Sequence, residues 1–221
     1  MGVFEIIGPS MIGPSSSHTA GACRIGYAAR QLLDETPTRA TIHLHGSFLA
    51  TGAGHGTHEA LTAGLLGMRP DDERLIHALD LAKEAMDIRF EPVDLGPQAH
   101  PNSVRIEVAG PTRKLCLTAA SVGGGSVCLQ EIDGYQQEIH GTLETLVLWH
   151  QDTPGFLARV TAVLACLQLN VAAIRTSRRE RGETAVTAVE IDGVLPEEVS
   201  ALLRKAPAIS RVAVLAPLPG Y

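Results

Sequence analysis

The sequence predicts a two-part α/β (α+β) protein, with a mixed α/β domain over 1–138 and a smaller βαββαβ domain over 143–221. Two observations predict it. The first is a chain of 221 residues with 45% hydrophobic side chains, enough for a sizeable core. The second is a change of pattern near residue 143, where irregularly mixed helical and alternating segments give way to one regular series of strands and helices. That series follows the ferredoxin-like order.

The composition excludes several classes of function. Lys and Arg number 18 against 24 Asp and Glu and form no basic block, so we expect neither nucleic-acid nor membrane-surface binding. The N-terminus has no signal-peptide pattern and no apolar run approaches ~18 residues, so we expect a cytoplasmic protein. The cysteines are scattered without a C-x-x-C pair, and we expect buried reduced thiols and no metal site in this chain. They are Cys23, Cys116, Cys128 and Cys166.

A loop and a helix open the N-terminal domain. Residues 8–17 are rich in Gly, Pro and Ser and contain the short echo IGPS…IGPS, which predicts a loop. Apolar residues at helical spacing follow up to Leu33, with Ser17 or Thr19 as the predicted N-cap. The hydroxyls and imidazole of the motif GPSSSHT therefore lie at a helix N-terminus.

A strand and a short helix come next. Residues 40–45 alternate in polarity, which predicts a strand with His43 and His45 on its polar face. The spacing places no third metal ligand beside these histidines, so we predict that they lie on the surface of the sheet rather than in a metal site. The strand enters a predicted turn at Gly46–Ser47, and the loop TGAGHGTH over 51–58 opens the next helix.

The rest of the domain is one surface helix and a set of strands. The helix follows Pro70 and is predicted to bury a stripe made of Leu75, Ile76 and Leu79. The predicted strands span 87–93, 103–109, 113–119 and 126–132.

The first candidate site is GPSSSHT, which contains Ser15, Ser16 and His18. Free backbone N–H groups and the helix dipole at this position favour an anion such as a carboxylate. A plain capping loop is the alternative, because Ser and Thr are common N-caps.

Two further loops can carry chemistry. In GHGT, glycines on both sides let His55 approach a ligand closely, and Thr57 can cap the next helix; the alternative is a solvated histidine. In HPNS, a rigid turn can project His100 and Asn102 together. The glycine run in SVGGGS lacks the Gly-Lys-Ser/Thr ending of a phosphate-binding loop, and we interpret it as a turn.

The C-terminal segment resembles the ACT domain, the amino-acid-sensing module of many metabolic enzymes. The turn Asp152-Thr153-Pro154-Gly155 follows the first strand and precedes the first helix, and the resemblance covers about 143–215. It implies an effector pocket at a domain interface, formed near Asp152, Gly155 and, at the start of the second strand, Asn170.

The whole chain resembles the β chain of the iron–sulfur-dependent L-serine dehydratase of two-subunit bacterial enzymes. Four motifs carry the resemblance in order, followed by the ACT-like segment: GPSSSHTAGACRIG, HGSFLATGAGHGTHEAL, HPNSVRI and SVGGG. Ala53 and His58 depart from the TGKGHGTD of the family. The N-terminal module also resembles the substrate-sensing domain of some phosphoglycerate dehydrogenases, which supplies a rival interpretation.

The resemblance implies α,β-elimination of water from L-serine, giving pyruvate and ammonia. His55 is the expected general base. The expected substrate-binding residues are Ser15, Ser16, His18, Thr57, His100 and Asn102. A [4Fe-4S] cluster, ligated mainly by the alpha subunit, is the expected Lewis acid. Homodimerisation through the ACT sheet is also expected. The alternative is a non-catalytic regulatory module that binds serine or a related small acid.

Overall fold

A computed structural model describes residues 11–220, so the first copy of the IGPS echo lies outside the described residues. The N-terminal half forms a six-stranded sheet in the order β2-β1-β3-β4-β5-β6. The β1–β2 pair is parallel and the other pairs are antiparallel. The strands are β1 (Arg39–Leu44), β2 (Asp87–Pro92), β3 (Ser103–Ala109), β4 (Lys114–Gly123), β5 (Ser126–Ile132) and β6 (Tyr135–Ile139).

The described part of this half contains four α-helices: α1 (Ala22–Leu33), α2 (Gly46–Thr51), α3 (Thr57–Leu65) and α4 (Ala78–Ala85). A π-helical turn, Ser16–Gly21, leads into α1, and 3₁₀ turns precede α3 and α4 at Gly52–His55 and Glu73–His77. Asp34 ends α1 in the left-handed conformation. Among residues 11–220 no helix is long and apolar enough to cross a membrane.

Helices α1 and α3 touch backbone to backbone through two glycines. A Cβ on Gly64 would lie 2.1 Å from the carbonyl oxygen of Cys23, and one on Gly26 would lie 2.2 Å from that of Leu61. Only glycine permits this approach. The close packing brings the N-terminal end of α3 beside the π turn that precedes α1.

The predicted cap of α1 is wrong. Gly21 precedes α1 without a side-chain cap, and the capping residue is Ser15 at the start of the π turn, in extended conformation, whose side-chain oxygen accepts the backbone N–H of His18 at 3.2 Å. Ser17 and Thr19 lie inside the π turn, because the helical backbone begins earlier than the apolar spacing indicates. Thr19 instead donates its hydroxyl to the carbonyl oxygen of His55 at 3.2 Å.

Three smaller predictions also need correction. Gly46 and Ser47 form the first turn of α2 rather than a simple turn. Ile76 is 57% exposed, because the chain before α4 is a 3₁₀ turn that shifts the buried stripe. Strand β6 was not predicted. The buried stripe consists of Leu75, Ala78 and Ala82.

The C-terminal half confirms the ferredoxin-like order. Its elements are β7 (Glu144–Gln151), α5 (Phe156–Cys166), β8 (Asn170–Arg178), β9 (Thr184–Asp192), α6 (Glu197–Leu203) and β10 (Ile209–Leu215). The four strands form an antiparallel sheet in the order β10-β7-β9-β8.

Both faces of the central strands in this second sheet are buried. One face packs with α5 and α6 in a core that includes Leu148 and Val189. The other face, which includes Trp149 and Val186, joins the core of the N-terminal half. This second face is therefore covered by the same chain and is not open to another copy of it. The edge strand β8 is largely exposed.

Asp133 joins the two halves. Its carboxylate accepts the indole N–H of Trp149 at 2.8 Å and the backbone N–H of Cys116 at 2.8 Å. The guanidinium of Arg211, on β10, lies over the Trp149 ring, 4.4 Å from its centroid. Polar contacts as well as apolar packing therefore hold the ACT-like sheet to the N-terminal domain.

Candidate active site

His18 is the centre of the candidate site. Its side chain comes from the π turn and is 8% exposed. The ring lies between two hydroxyls, with Nδ1 3.1 Å from Oγ1 of Thr57 and Nε2 3.3 Å from Oγ of Ser47. The Phe48 ring packs edge-on against it at 5.1 Å between centroids. These three contacts thus fix the orientation of this imidazole.

His55 lies beside His18, with 5.0 Å between the ring centroids. Its Nδ1 is 2.9 Å from the backbone carbonyl oxygen of Thr51. A carbonyl only accepts hydrogen bonds, so Nδ1 carries the proton in the neutral ring and Nε2 holds a lone pair. His55 is exposed, and its Nε2 is therefore the accessible basic atom of the pair.

The surroundings of His18 determine its charge state. Burial lowers the pKa of His18, and the nearby His55 lowers it further. His18 is therefore neutral at physiological pH, and its two ring nitrogens serve as one hydrogen-bond donor and one acceptor toward the surrounding hydroxyls.

Three residues that the sequence analysis did not single out belong to this site. Ser47 and Phe48 contact His18 from α2, and the carbonyl of Thr51 orients His55. Thr51 also donates its hydroxyl to the carbonyl oxygen of Ser47 at 3.0 Å. These residues lie within the motif HGSFLAT, which the sequence analysis quoted. Because a turn was predicted at 46–47, the pattern did not indicate that they contact His18 or His55.

The predicted binding residues fall into two groups: Ser15, Ser16 and Thr57 lie around His18, whereas His100 and Asn102 lie on a neighbouring loop. Thr57 is fully buried and bonds to His18 rather than capping α3, whose N-cap is Gly56. Ser15 caps the π turn and Ser16 is its first residue, so both lie next to His18 in the fold.

His100 and Asn102 lie on a neighbouring loop. The backbone N–H of Asn102 donates to Nδ1 of His100 at 3.1 Å. Two backbone bonds hold this loop against the site: the N–H of Ser47 donates to the carbonyl of Pro101 at 2.7 Å, and that of Ser121 to the carbonyl of Asn102 at 3.0 Å. The structure therefore brings the loop to the edge of the site, while His18, His55 and Thr57 form its centre.

The surface around the site carries glycine loops and exposed apolar side chains. A Cβ on Gly54, Gly123 or Gly124 would meet no atom within 4 Å. Leu49, on α2, is 47% exposed, and Val122, at the end of β4, is 43% exposed. The elements that carry the site therefore also present bare glycines and exposed apolar side chains.

The two residues that depart from the family motif, Ala53 and His58, have different surroundings. Ala53 is exposed in the 3₁₀ turn before His55. His58 packs edge-on against Phe90 of β2, with 4.4 Å between the ring centroids. His58 thus faces the sheet, and the structure gives it no contact with His18.

The predicted effector residues do not converge within one chain. Asp152 accepts from Arg178 and from the backbone N–H of Gly182, and these bonds lower the pKa of its carboxyl. Gly155 is the N-cap of α5, with a positive φ of 78°. Asn170 donates to Asp192 at 2.7 Å, at the opposite end of β9. The eight steps along β9 that separate the two ends correspond to roughly 26 Å.

Three of the four cysteines of this chain do not fit an iron–sulfur cluster. Cys23 is buried and donates to the Met68 carbonyl, and burial raises the pKa of its thiol to about 12. Burial also raises the pKa of Cys116 and Cys128, whereas a cluster ligand must be a thiolate. Within residues 11–220 no three His, Cys, Asp or Glu side chains are grouped so that they could hold a metal ion.

The profile of the serine dehydratase beta chain matches residues 2–132. The chain belongs to the serine dehydratase beta-chain family. An ACT domain profile matches residues 145–208. The chain is 39% identical over 215 residues to the probable L-serine dehydratase beta chain of Bacillus subtilis, covering 97% of each chain. It is 36% identical over 202 residues to the L-serine dehydratase beta chain of Peptoniphilus asaccharolyticus, covering 90% of this chain and 91% of the relative.

A relative of another kind shares the same region. The chain is 25% identical over 195 residues to the D-3-phosphoglycerate dehydrogenase of Bacillus subtilis, covering 88% of this chain but 37% of the dehydrogenase. The serine dehydratase beta chains match along nearly their whole length. Membership of the serine dehydratase beta-chain family follows from the matching family model and from the higher identity to these beta chains.

Proposed function

We propose that this chain is the beta subunit of an L-serine dehydratase and supplies acid–base and substrate-binding groups for α,β-elimination of water from L-serine. The observation that carries the proposal is the pairing of a buried, neutral His18 with an exposed His55 whose Nε2 is free to accept a proton. Elimination needs a base for the Cα proton and donors for the carboxylate and the departing hydroxyl.

His55 is the proposed base. Its Nδ1–H donates to the carbonyl of Thr51, which fixes the tautomer and leaves the lone pair on Nε2. The bound carbonyl also stabilises the imidazolium that forms when Nε2 takes the Cα proton. A general base of this kind contributes typically ~10²–10⁴-fold to the rate.

His18 and the hydroxyls around it are the proposed binding groups. Because Ser47 and Thr57 hold both ring nitrogens, His18 can exchange one of these partners for a substrate oxygen without changing its tautomer. The N–H groups of the π turn after Ser15 and Ser16 are suited to the serine carboxylate. His100 and Asn102 complete the pocket from the neighbouring loop.

An alpha subunit is the proposed partner, and a [4Fe-4S] cluster that it ligates would act as the Lewis acid for the hydroxyl group. The relatives are named beta chains, and the cysteines described above do not suit a cluster. We propose that this partner binds the exposed surface that includes Leu49, Val122 and the bare glycine loops. We expect the assembled enzyme in the cytoplasm.

Homodimerisation is proposed through the edge of the ACT sheet. Strand β8 is exposed along most of its length. Antiparallel pairing of β8 with its copy would bring Asn170 of one chain toward Asp152 and Gly155 of the other, across the separation that a single chain leaves between them. An effector pocket would then form between two chains.

The test compares His55→Asn with His58→Asn in the co-expressed complex. We expect the His55 variant to lose at least ~100-fold in kcat for pyruvate formation with assembly intact, since the base is lost. The His58 variant is the matched control: because His58 packs against Phe90, we expect it to keep the wild-type kcat. A His55 variant with wild-type kcat would refute the proposed base. A complex that binds L-serine but forms no pyruvate would favour the regulatory module instead.

A further inference from the structure

Arg24 is a fully buried arginine that the mechanism above does not use. It is 1% exposed and lies three residues after the π turn that carries His18. Its guanidinium donates to three backbone carbonyls: Nε to Pro219 at 2.9 Å, Nη2 to Gly220, and Nη1 to Gly125. One side chain therefore bonds to the C-terminal tail and to the glycine turn between β4 and β5.

The glycine turn connects Arg24 to the candidate site. Gly123, Gly124 and Gly125 all have positive φ, so this turn has a conformation that other residues rarely adopt. Just before it, Ser121 packs directly on the π turn, since a Cβ on Gly21 would lie 2.1 Å from its Oγ. A shift of the turn would therefore press on the backbone that carries His18.

The C-terminal tail connects Arg24 to the ACT sheet. The tail leaves β10 at Ala216, whose N–H donates to the side-chain oxygen of Gln31 at 2.9 Å. Leu218 is 2% exposed, and its N–H donates to the carbonyl of Gly141 at 2.8 Å. The tail that follows β10 is thus held beside Gly141 by Leu218 and ends at Arg24, while Gln31 bonds only to the point where the tail leaves the strand.

We propose that Arg24 is a positioning residue that couples the last ACT strand, through the C-terminal tail, to the geometry of His18. The planar guanidinium fork holds three carbonyls in a fixed relation, which the single ammonium of lysine cannot reproduce. The catalytic consequence rests on the proposed function, whereas the geometric coupling does not.

The test uses Arg24→Lys and Leu218→Ala, with Gln31→Ala as the matched control. Leu218→Ala loosens the tail and leaves Arg24 in place. Gln31→Ala removes the other tail bond, at the far end of α1. The first readout is the NMR titration of the His18 ring in the isolated chain, assigned with His18→Gln, and the second is kcat and KM for L-serine in the co-expressed complex.

We expect both test variants to move the His18 midpoint upward toward 6.5, its usual value, because a displaced π turn admits water to the ring. We expect kcat/KM to fall roughly ten-fold. Gln31→Ala should change neither quantity. If Arg24→Lys does not fold, Leu218→Ala decides the question.

Wild-type titration of His18 in a folded Arg24→Lys or in Leu218→Ala overturns the coupling. The same result would leave Arg24 a purely structural residue. A complex without serine turnover overturns the proposed function alone, because the titration in the isolated chain still measures the coupling.

Discussion

Replacing Gly64 by alanine tests the packing that assembles the candidate site. The new Cβ would lie 2.1 Å from the carbonyl oxygen of Cys23, and reaching the 3.4 Å of ordinary contact requires the helices to separate by about 1.3 Å. Overpacking costs about 1–3 kcal/mol, and a clash with backbone belongs at the upper end because no rotamer relieves it. Alanine returns about 1 kcal/mol through its helix propensity. We expect a net loss of about 2 kcal/mol in the free energy of unfolding.

Moving α1 and α3 apart would also disturb the candidate site. The hydrogen bond between His18 and Thr57 joins the two helices at 3.1 Å, and a shift of about 1.3 Å along that direction would break it. We therefore expect Gly64→Ala to lower serine turnover in the assembled complex in addition to its effect on stability.

Urea denaturation of the isolated chain measures the first effect, as a lower midpoint at unchanged slope. Gly54→Ala is the matched control, since its Cβ meets nothing within 4 Å, and its midpoint should equal that of the wild type. Equal midpoints for both variants would show that α1 and α3 are not held by backbone contact, and the reasoning would fail.

Three further predictions concern the site and its surroundings. Thr57→Val should destabilise the chain by about 1 kcal/mol in the same denaturation assay, because the hydroxyl bonded to His18 is lost, whereas Thr57→Ser should keep it. The pKa of His18 is lowered in the folded state, so the unfolded chain binds protons more readily. The free energy of unfolding should therefore fall as the pH drops below 6.5, and it should fall less steeply in His18→Gln. Equal slopes would contradict this. The lowered pKa of the Asp152 carboxyl stabilises the folded chain above pH 3.8, and this stabilisation is lost as the pH falls further. Asp152→Asn should therefore flatten the acid limb of the stability curve.

The local pattern of the chain predicted most strands and the ferredoxin-like order. Strand β3 was predicted over 103–109 and β5 over 126–132, with the bounds that the structure has. Both alternate clearly and end at turn residues. The cap of α1 was missed, since a π turn has no apolar period, and Ser15, Ser17 and Thr19 are equally good capping residues by type.

The site was predicted in part. The motif GHGT indicated His55 and Thr57, but their partners required tertiary information. Ser47 reaches His18 only because α2 folds at its particular angle, and Thr51 orients His55 through a backbone carbonyl, which no side-chain pattern encodes. The burial of Trp149 against Asp133 was likewise hidden, because an alternating strand does not reveal what covers its second face.

The covered face of the ACT sheet has a consequence for cooperativity. Trp149 and Val186 belong to the same core as the N-terminal helices, so the two segments that match separate families share buried surface. Melting should then occur in a single transition. An ACT segment excised at residue 143 would expose that face to water, and a foreign ACT segment grafted in its place would need a complementary face. The unit that evolution exchanges between proteins is smaller here than the unit that folds.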